Sequence, residues 1–185
     1  HSTSSPEPLC DIVIPVWDQP ERTRRCLESV AACTPSQARL ILVDNASQPP
    51  TRELLTRLAR ESGLPMKILR NAENLGFIRA ANQGIRASTS PWICLLNNDT
   101  VVTEGWLEEM IRVAHANPDI GLLNPTSNSL GFNTGRMPLE EFARSLKAQS
   151  GQWTELSVAL GFCLLARRDL FDRIGLLDES FGMGN

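Results

Sequence analysis

The chain has 185 residues, 42% hydrophobic and 21% charged, with a formal net charge of -3. That length suits one domain of about 100–200 residues, able to bury a core without staples, and the charge balance excludes the basic footprint of a nucleic-acid binder. The cysteines (Cys10, Cys26, Cys33, Cys94 and Cys163) are odd in number and lack metal-ligand spacing, so a reduced compartment fits better than a disulfide framework. No apolar run reaches the ~18–20 residues of a membrane span, and no signal-peptide pattern is present. The expected location is cytoplasmic, free or peripheral at the inner membrane face. Arg22, Arg24 and Arg25 share a predicted helix with Glu21 and Glu28 and read as a solvated face.

Residues 1–9 read as a flexible tail or a cloning scar, and 10–185 as one domain. From there strands and helices alternate. The apolar run 11–16 predicts a buried strand. Asp18 and Gln19 are candidate caps for a helix that runs to about Ala32, with Pro20 in its first turn. Residues 40–43 predict a second strand that ends in Asp44 and Asn45. Thr51 opens a helix with Leu54, Leu55 and Leu58 on one face. Residues 66–69 predict a third strand, and Phe77, Ala81 and Ile85 a helix after Gly76. Residues 92–96 predict a buried strand that runs into Asn97, Asn98 and Asp99. Thr103 is a candidate cap for a helix carrying Trp106, Leu107, Met110, Ile111 and Ala114. A strand at 120–123, a polar loop at 124–136 and a short helix with Leu139, Phe142 and Leu146 follow. A strand at 158–165 and a helix at 168–174 ended by Gly175 complete the series.

This alternation predicts an α/β domain with a mostly parallel sheet covered on both faces. Ligands bind such sheets at the carboxyl ends of the strands. Polar clusters fall there: Trp17 and Asp18, Asp44 and Asn45, and Asn97 to Asp99. The last cluster offers hard oxygen ligands on a rigid strand. Magnesium uses one or two carboxylates and completes its shell with water and phosphates, so Asp99 with Asn97 suffices; a simple turn is the other reading. Trp17 reads equally as core, and Asp18 as a cap. His115 is the sole internal histidine, which leaves no Ser/His/Asp triad to build, and it reads as a helix-surface residue. The glycine-bearing loops at 131–135 and 182–184 lack a dinucleotide fingerprint.

The run DIVIPVW at 11–17, VDNAS at 43–47, NLGFIRAANQG at 74–84 and LLNNDT at 95–100 resemble, in order and spacing, the motif set of the family-two glycosyltransferases. GFCLLARRDLF at 161–171 and IGLLDESF at 174–181 continue the resemblance, which covers about residues 10–185. The double asparagine before Asp99 is similar to rhamnosyltransferase-like members. The resemblance implies a GT-A, Rossmann-like three-layer α/β/α sandwich. It implies transfer from a UDP or dTDP sugar to an acceptor hydroxyl, assisted by Mg2+ or Mn2+ and inverting, in polysaccharide or cell-surface glycan synthesis. The acceptor would be a glycan, a lipid-linked molecule or a protein.

Position by position, Asp44 matches the carboxylate that reads the base, with Asn45 beside it. Pro15, Val16 and Trp17 match the strand end that packs on the nucleoside, and Asp18 an acidic position near the nucleotide. Gly76 and Arg79 match the diphosphate-flanking segment, although many relatives place their arginine two positions later. Asn82 matches an asparagine expected to bond the metal-bearing loop. Asp99 matches the metal-binding carboxylate of the DXD motif, with Asn97 as its partner, and Asn98 between them is expected on the nucleotide. The general base of relatives follows the stretch that matches 175–182, in a Glu-Asp pair expected past Asn185. Asp178 and Glu179 are the weak candidates within the chain, which implies a domain incomplete at its C-terminal side and weak or no activity in this fragment. A non-catalytic module that binds a nucleotide sugar or a protein is the alternative, and a nucleotidyltransferase a more distant one, since no Gly-rich basic loop follows the first strand.

Overall fold

A computed structural model gives the structure of residues 8–128 and 137–181. The glycine-bearing loops at 131–135 and 182–184, and the polar loop from 129 on, lie outside these residues. The order is β1 (Cys10–Val16), α1 (Pro20–Cys33), β2 (Ala38–Asp44), α2 (Pro49–Glu61), β3 (Met66–Arg70), α3 (Phe77–Ala87) and β4 (Trp92–Leu96). Then come α4 (Trp106–Ala116), β5 (Leu122–Leu123), α5 (Leu139–Ser145), β6 (Cys163–Arg167) and α6 (Arg168–Ile174). Short 3-10 turns occupy Leu146–Gln149 and Glu179–Phe181.

The strands form one sheet in the order β3-β2-β1-β4-β6-β5. β1 to β4 pair in parallel, while β6 runs antiparallel to both β4 and β5. The expected mostly parallel sheet is present. Every residue of β1 is buried, as a strand covered on both faces requires. Its alternation splits the core in two. Ile12, Ile14 and Val16 join Leu27 of α1, Leu55 of α2 and Leu107 of α4 on one face. Val13 faces the other way with Ile41, Ile93, Ala81 and Ile85 of α3, and Phe171 of α6. The result is a helix–sheet–helix sandwich. α3 approaches β1 so closely that a Cβ on Gly84 would collide with the side chain of Val13, so glycine is required there by contact.

Several boundaries differ from the sequence expectation. The strand placed at 158–165 is Cys163–Arg167. Its length is set by its partner, since Leu96 pairs with Cys163 and Trp92 with Arg167, and Val158 ahead of it is exposed. The strand at 120–123 shortens to two residues. Neither Asp18 nor Gln19 caps α1 through its side chain; Gln19 stands at the cap in a left-handed conformation. Thr103 does not cap α4, which begins after a left-handed Gly105. α2 begins at Pro49, ahead of Thr51. Cys94 and Cys163 share a buried thiol hydrogen bond, 3.8 Å between sulfurs, and not a disulfide, and all five cysteines are free thiols. No helix among the described residues is long and apolar enough to cross a membrane.

The chain moves from β1 outward through β2 to β3, then returns to place β4 on the other side of β1. The topological switch point therefore lies between β1 and β4, where open α/β sheets bind ligands at the carboxyl ends.

Candidate functional site

Three loops leave the carboxyl ends of β2, β1 and β4, and hydrogen bonds tie them together. Asp44 ends β2 and is 1% exposed. Its Oδ1 accepts from Ser47 N at 2.9 Å and its Oδ2 from Arg70 Nη1 at 2.6 Å. A second guanidinium, Arg52, stands 3.9 Å from Oδ2. Arg70 also donates to Thr56 Oγ1 at 2.8 Å, which fixes its fork between β3 and α2.

Asn45 is buried and its amide is fully used. Nδ2 donates to Asn74 Oδ1 at 2.6 Å and to the Gly76 carbonyl at 3.3 Å, while Oδ1 accepts from Asn71 Nδ2 and Leu75 N. Gln83 in turn donates to Asn71. Asn45 thus holds the 71–76 loop and leaves Gly76 as the left-handed entry to α3.

Pro15 and Val16 are buried in β1, but Trp17 is 57% exposed, which rules out the core reading of this residue. Asp18, Gln19 and Ala46 all have positive φ, an uncommon state for non-glycine residues that concentrates where structure over-determines it. Asp18 N donates to Ser47 Oγ, and Asp18 Oδ1 accepts from Gln48 N at 2.7 Å. The Asp18 carboxylate therefore braces the loop after β2 rather than its own helix.

Beyond β4, Asn97 N donates to the Phe162 carbonyl, while Asn97 Oδ1 is buried without a hydrogen-bond partner among the described residues. Asn98 Nδ2 donates to Thr23 Oγ1 at 2.9 Å. Asp99 is about half exposed and its nearest cation is Arg22 at 3.8 Å. Of the basic cluster on α1, Arg24 bridges Glu21 and Glu28 as a solvated face does, but Arg22 turns to Asp99.

The sequence profile described as glycosyl transferase family 2 matches residues 11–175. The chain belongs to this family. It is 30% identical to glycosyltransferase AglE of Haloferax volcanii over 103 residues, 55% of this chain and 34% of that protein. Among solved structures it superposes with TM-score 0.73 on mannosyltransferase PcManGT of Pyrobaculum calidifontis in complex with GDP-Man and Mn2+, at 19% identity, covering 93% of this chain and 48% of that one. TarS of S. aureus (residues 1–349) with UDP-GlcNAc gives 0.64 at 13% identity, covering 88% and 46%. The chain spans less than half the length of these relatives, and the structural likenesses establish the GT-A fold.

Other residues singled out from the family pattern have partners within the chain. Asn82 donates to the Leu177 carbonyl at 2.8 Å and to Glu179 Oε1 at 3.0 Å, and accepts from Leu177 N. It holds the 177–179 segment, and among the described residues its side chain makes no hydrogen bond to the loop after β4. Arg79 lies 3.5 Å from Glu179, and Arg86 lies 3.6 Å from the same carboxylate. The Asn82 hydrogen bond and these arginines hold Glu179 below the usual carboxylate range. Asp178 is likewise lowered by the Ser180 amide. His115 is exposed, with its ring edge-on to Trp92. Arg70, Asn71, Asn74, Gln83 and Thr23 were not singled out. Arg70 and Asn71 sit at a carboxyl strand end, the same place that flagged Asp44, so that signal was present; Thr23 inside a helix carried none.

Proposed function

We propose that this chain is the donor-binding part of a metal-assisted, inverting glycosyltransferase that takes its sugar from a UDP or dTDP carrier. The observation that carries the reading is the Asp44–Arg70 pair at the end of β2. A carboxylate that accepts and a guanidinium that donates are complementary to an imide edge, which presents an N–H beside a carbonyl. Uracil and thymine have that edge, N3–H beside O4; cytosine also sets a donor, its amine, beside an acceptor nitrogen. Guanine offers a comparable pattern, and the Pyrobaculum relative was solved with GDP-Man, so the base is settled by titration. Exposed Trp17 at the end of β1 supplies a flat face for the nucleoside.

The residues present fit a divalent cation. Asn97 Oδ1 is a desolvated acceptor without a donor, and Asp99 is a half-exposed carboxylate two residues on. One carboxylate and one amide oxygen, completed by diphosphate and water, is a donor set for Mg2+ or Mn2+. When bound, the ion neutralises charge that develops on the diphosphate leaving group. Asp99 and Asn97 would hold it, Arg22 adds a cation at the same mouth, and Asp44 with Arg70 would orient the base. Neither Asp178 nor Glu179 suits the general base, because hydrogen bonds that stabilise the charged form weaken a carboxylate as a proton acceptor. The acceptor is a glycan, lipid-linked or protein hydroxyl, in polysaccharide or cell-surface glycan synthesis at the cytoplasmic side of a membrane.

The test is calorimetric titration with UDP, dTDP and GDP, each with and without Mn2+, on the wild type and Asp99→Ala. Metal-dependent binding of a pyrimidine diphosphate that disappears in Asp99→Ala supports the reading. Absence of nucleotide binding, or unchanged metal dependence in the variant, overturns it.

A further inference from the structure

α1 reaches the loop after β4 through three side chains spaced three residues apart. Asn98 Nδ2 donates to Thr23 Oγ1 at 2.9 Å, Cys26 Sγ donates to the Asn97 carbonyl at 3.5 Å, and Val102 N donates to Ser29 Oγ at 3.1 Å. Residues three and four apart share a helix face, so one stripe of α1 sets the course of residues 97–102. Thr23 differs from the other two in what its hydroxyl does next. It is fully buried, and while accepting from Asn98 it donates its own proton to the Asp18 carbonyl at 3.2 Å.

That bond joins a longer series. Asp18 N donates to Ser47 Oγ at 3.0 Å, and Ser47 N donates to Asp44 Oδ1 at 2.9 Å. The path from the Asp44 carboxylate to Asn98 is therefore continuous: Asp44, Ser47, Asp18, Thr23, Asn98. Asp18 lies on it with a left-handed backbone, so the loop is held in a sparsely populated state by these bonds. Asn98 sits between Asn97 and Asp99, so its anchorage to Thr23 restrains the stretch that carries both.

We infer that the Thr23 hydroxyl is a positioning residue that couples the base-reading carboxylate, Asp44, to the loop bearing Asn97 and Asp99. The inference rests on the proposed donor site. Its consequence is thermodynamic. Nucleotide and metal each stabilise the other's loop through the shared hydroxyl, so metal raises nucleotide affinity beyond direct phosphate contact, and the coupling is reciprocal.

The experiment measures the gain in affinity for UDP, dTDP and GDP on adding Mn2+, in the wild type, Thr23→Val and Thr23→Ser. Thr23→Val keeps the shape but removes both hydrogen bonds. It is expected to cut the metal-induced gain by about fivefold, the size of one lost hydrogen bond, and to leave metal-free affinity within about twofold. Thr23→Ser restores the hydroxyl and is expected to restore the gain. Combined with Asn98→Ala, Thr23→Val adds nothing further, as residues acting through one bond are non-additive. An undiminished gain in Thr23→Val overturns the inference, as does equal loss with and without metal, which marks a structural role only. A wild type with no metal-induced gain for any of the diphosphates fails the donor-site reading itself and takes the inference with it.

Discussion

Arg70 closes on Asp44 across two strands, its Nη1 at 2.6 Å from a carboxylate oxygen that is otherwise buried. Arg70 keeps a third of its side chain in solvent and Asp44 almost none, so the pair is open on the guanidinium side. A buried carboxylate stripped of its main cation is costly. Arg70→Ala is expected to destabilise the fold by about 2 kcal/mol, the range for hydrogen bonds to charged groups, with Arg52 at 3.9 Å limiting the loss. Arg70→Lys keeps the charge but cannot also reach Thr56 with a planar fork, and should recover part of it. Denaturant midpoints check the stability, and nucleotide titration of the same variants should show affinity falling with the donor, most for the base whose carbonyl faces it.

Asn45 is expected to behave as a scaffold residue. Its amide donates toward Asn74 Oδ1 and the Gly76 carbonyl. Asn45→Asp places a carboxylate against two acceptors and should cost about 3 kcal/mol, since buried groups left unsatisfied carry the full desolvation penalty. A variant of wild-type stability with reduced nucleotide affinity would instead make Asn45 a direct ligand. Thermal unfolding beside nucleotide titration separates the two.

Much of this arrangement was legible in the residues. The apolar runs of β1, β2 and β4 and the polar residues at their ends were readable because strand burial and strand-end polarity are local properties. The caps failed because Asp18 and Gln19 adopt positive φ, a state dictated by partners in the Asn45–Gln48 loop that no local preference encodes. β6 was misplaced because an antiparallel strand takes its length from β4 and not from its own composition. Asn82 and Asn98 meet partners 95 and 75 residues away, so their identity signalled polarity without direction. Trp17 left core and surface readings open, and only burial decided between them.

Gly84 offers a test of the packing between α3 and β1. A methyl group there meets the side chain of Val13 in a fully buried layer. Gly84→Ala gains helix propensity, about 1 kcal/mol, yet overpacking costs about 1–3 kcal/mol. The net expectation is destabilisation, and pairing it with Val13→Ala should relieve most of the loss. A stabilised single variant in urea unfolding would show that the helix can move away from the strand.

Glu109 on α4 fastens the segment after α5. Its Oε1 accepts from Ser150 Oγ at 2.6 Å and Gly151 N at 2.7 Å, and Arg112 pairs with the same carboxylate. The Arg112 and Ser150 hydrogen bonds dominate, the Gly151 amide adds to them, and together they outweigh desolvation and lower the Glu109 pKa to about 2 from an ordinary 4.5. A depressed folded pKa means a contribution that is fully present above the unfolded value and is lost as pH falls from about 4.5 toward about 2. The group is more than a third exposed, so solvent screening keeps the contribution under about 1 kcal/mol. Glu109→Gln should lower the unfolding midpoint slightly at pH 7 and flatten its acid dependence over that window, because the amide has no proton to gain. Gly151 is left-handed and a Cβ there would strike Arg112, so Gly151→Ala should disturb the same contact at every pH. The difference between a pH-dependent and a pH-independent loss identifies the carboxylate as the fastening.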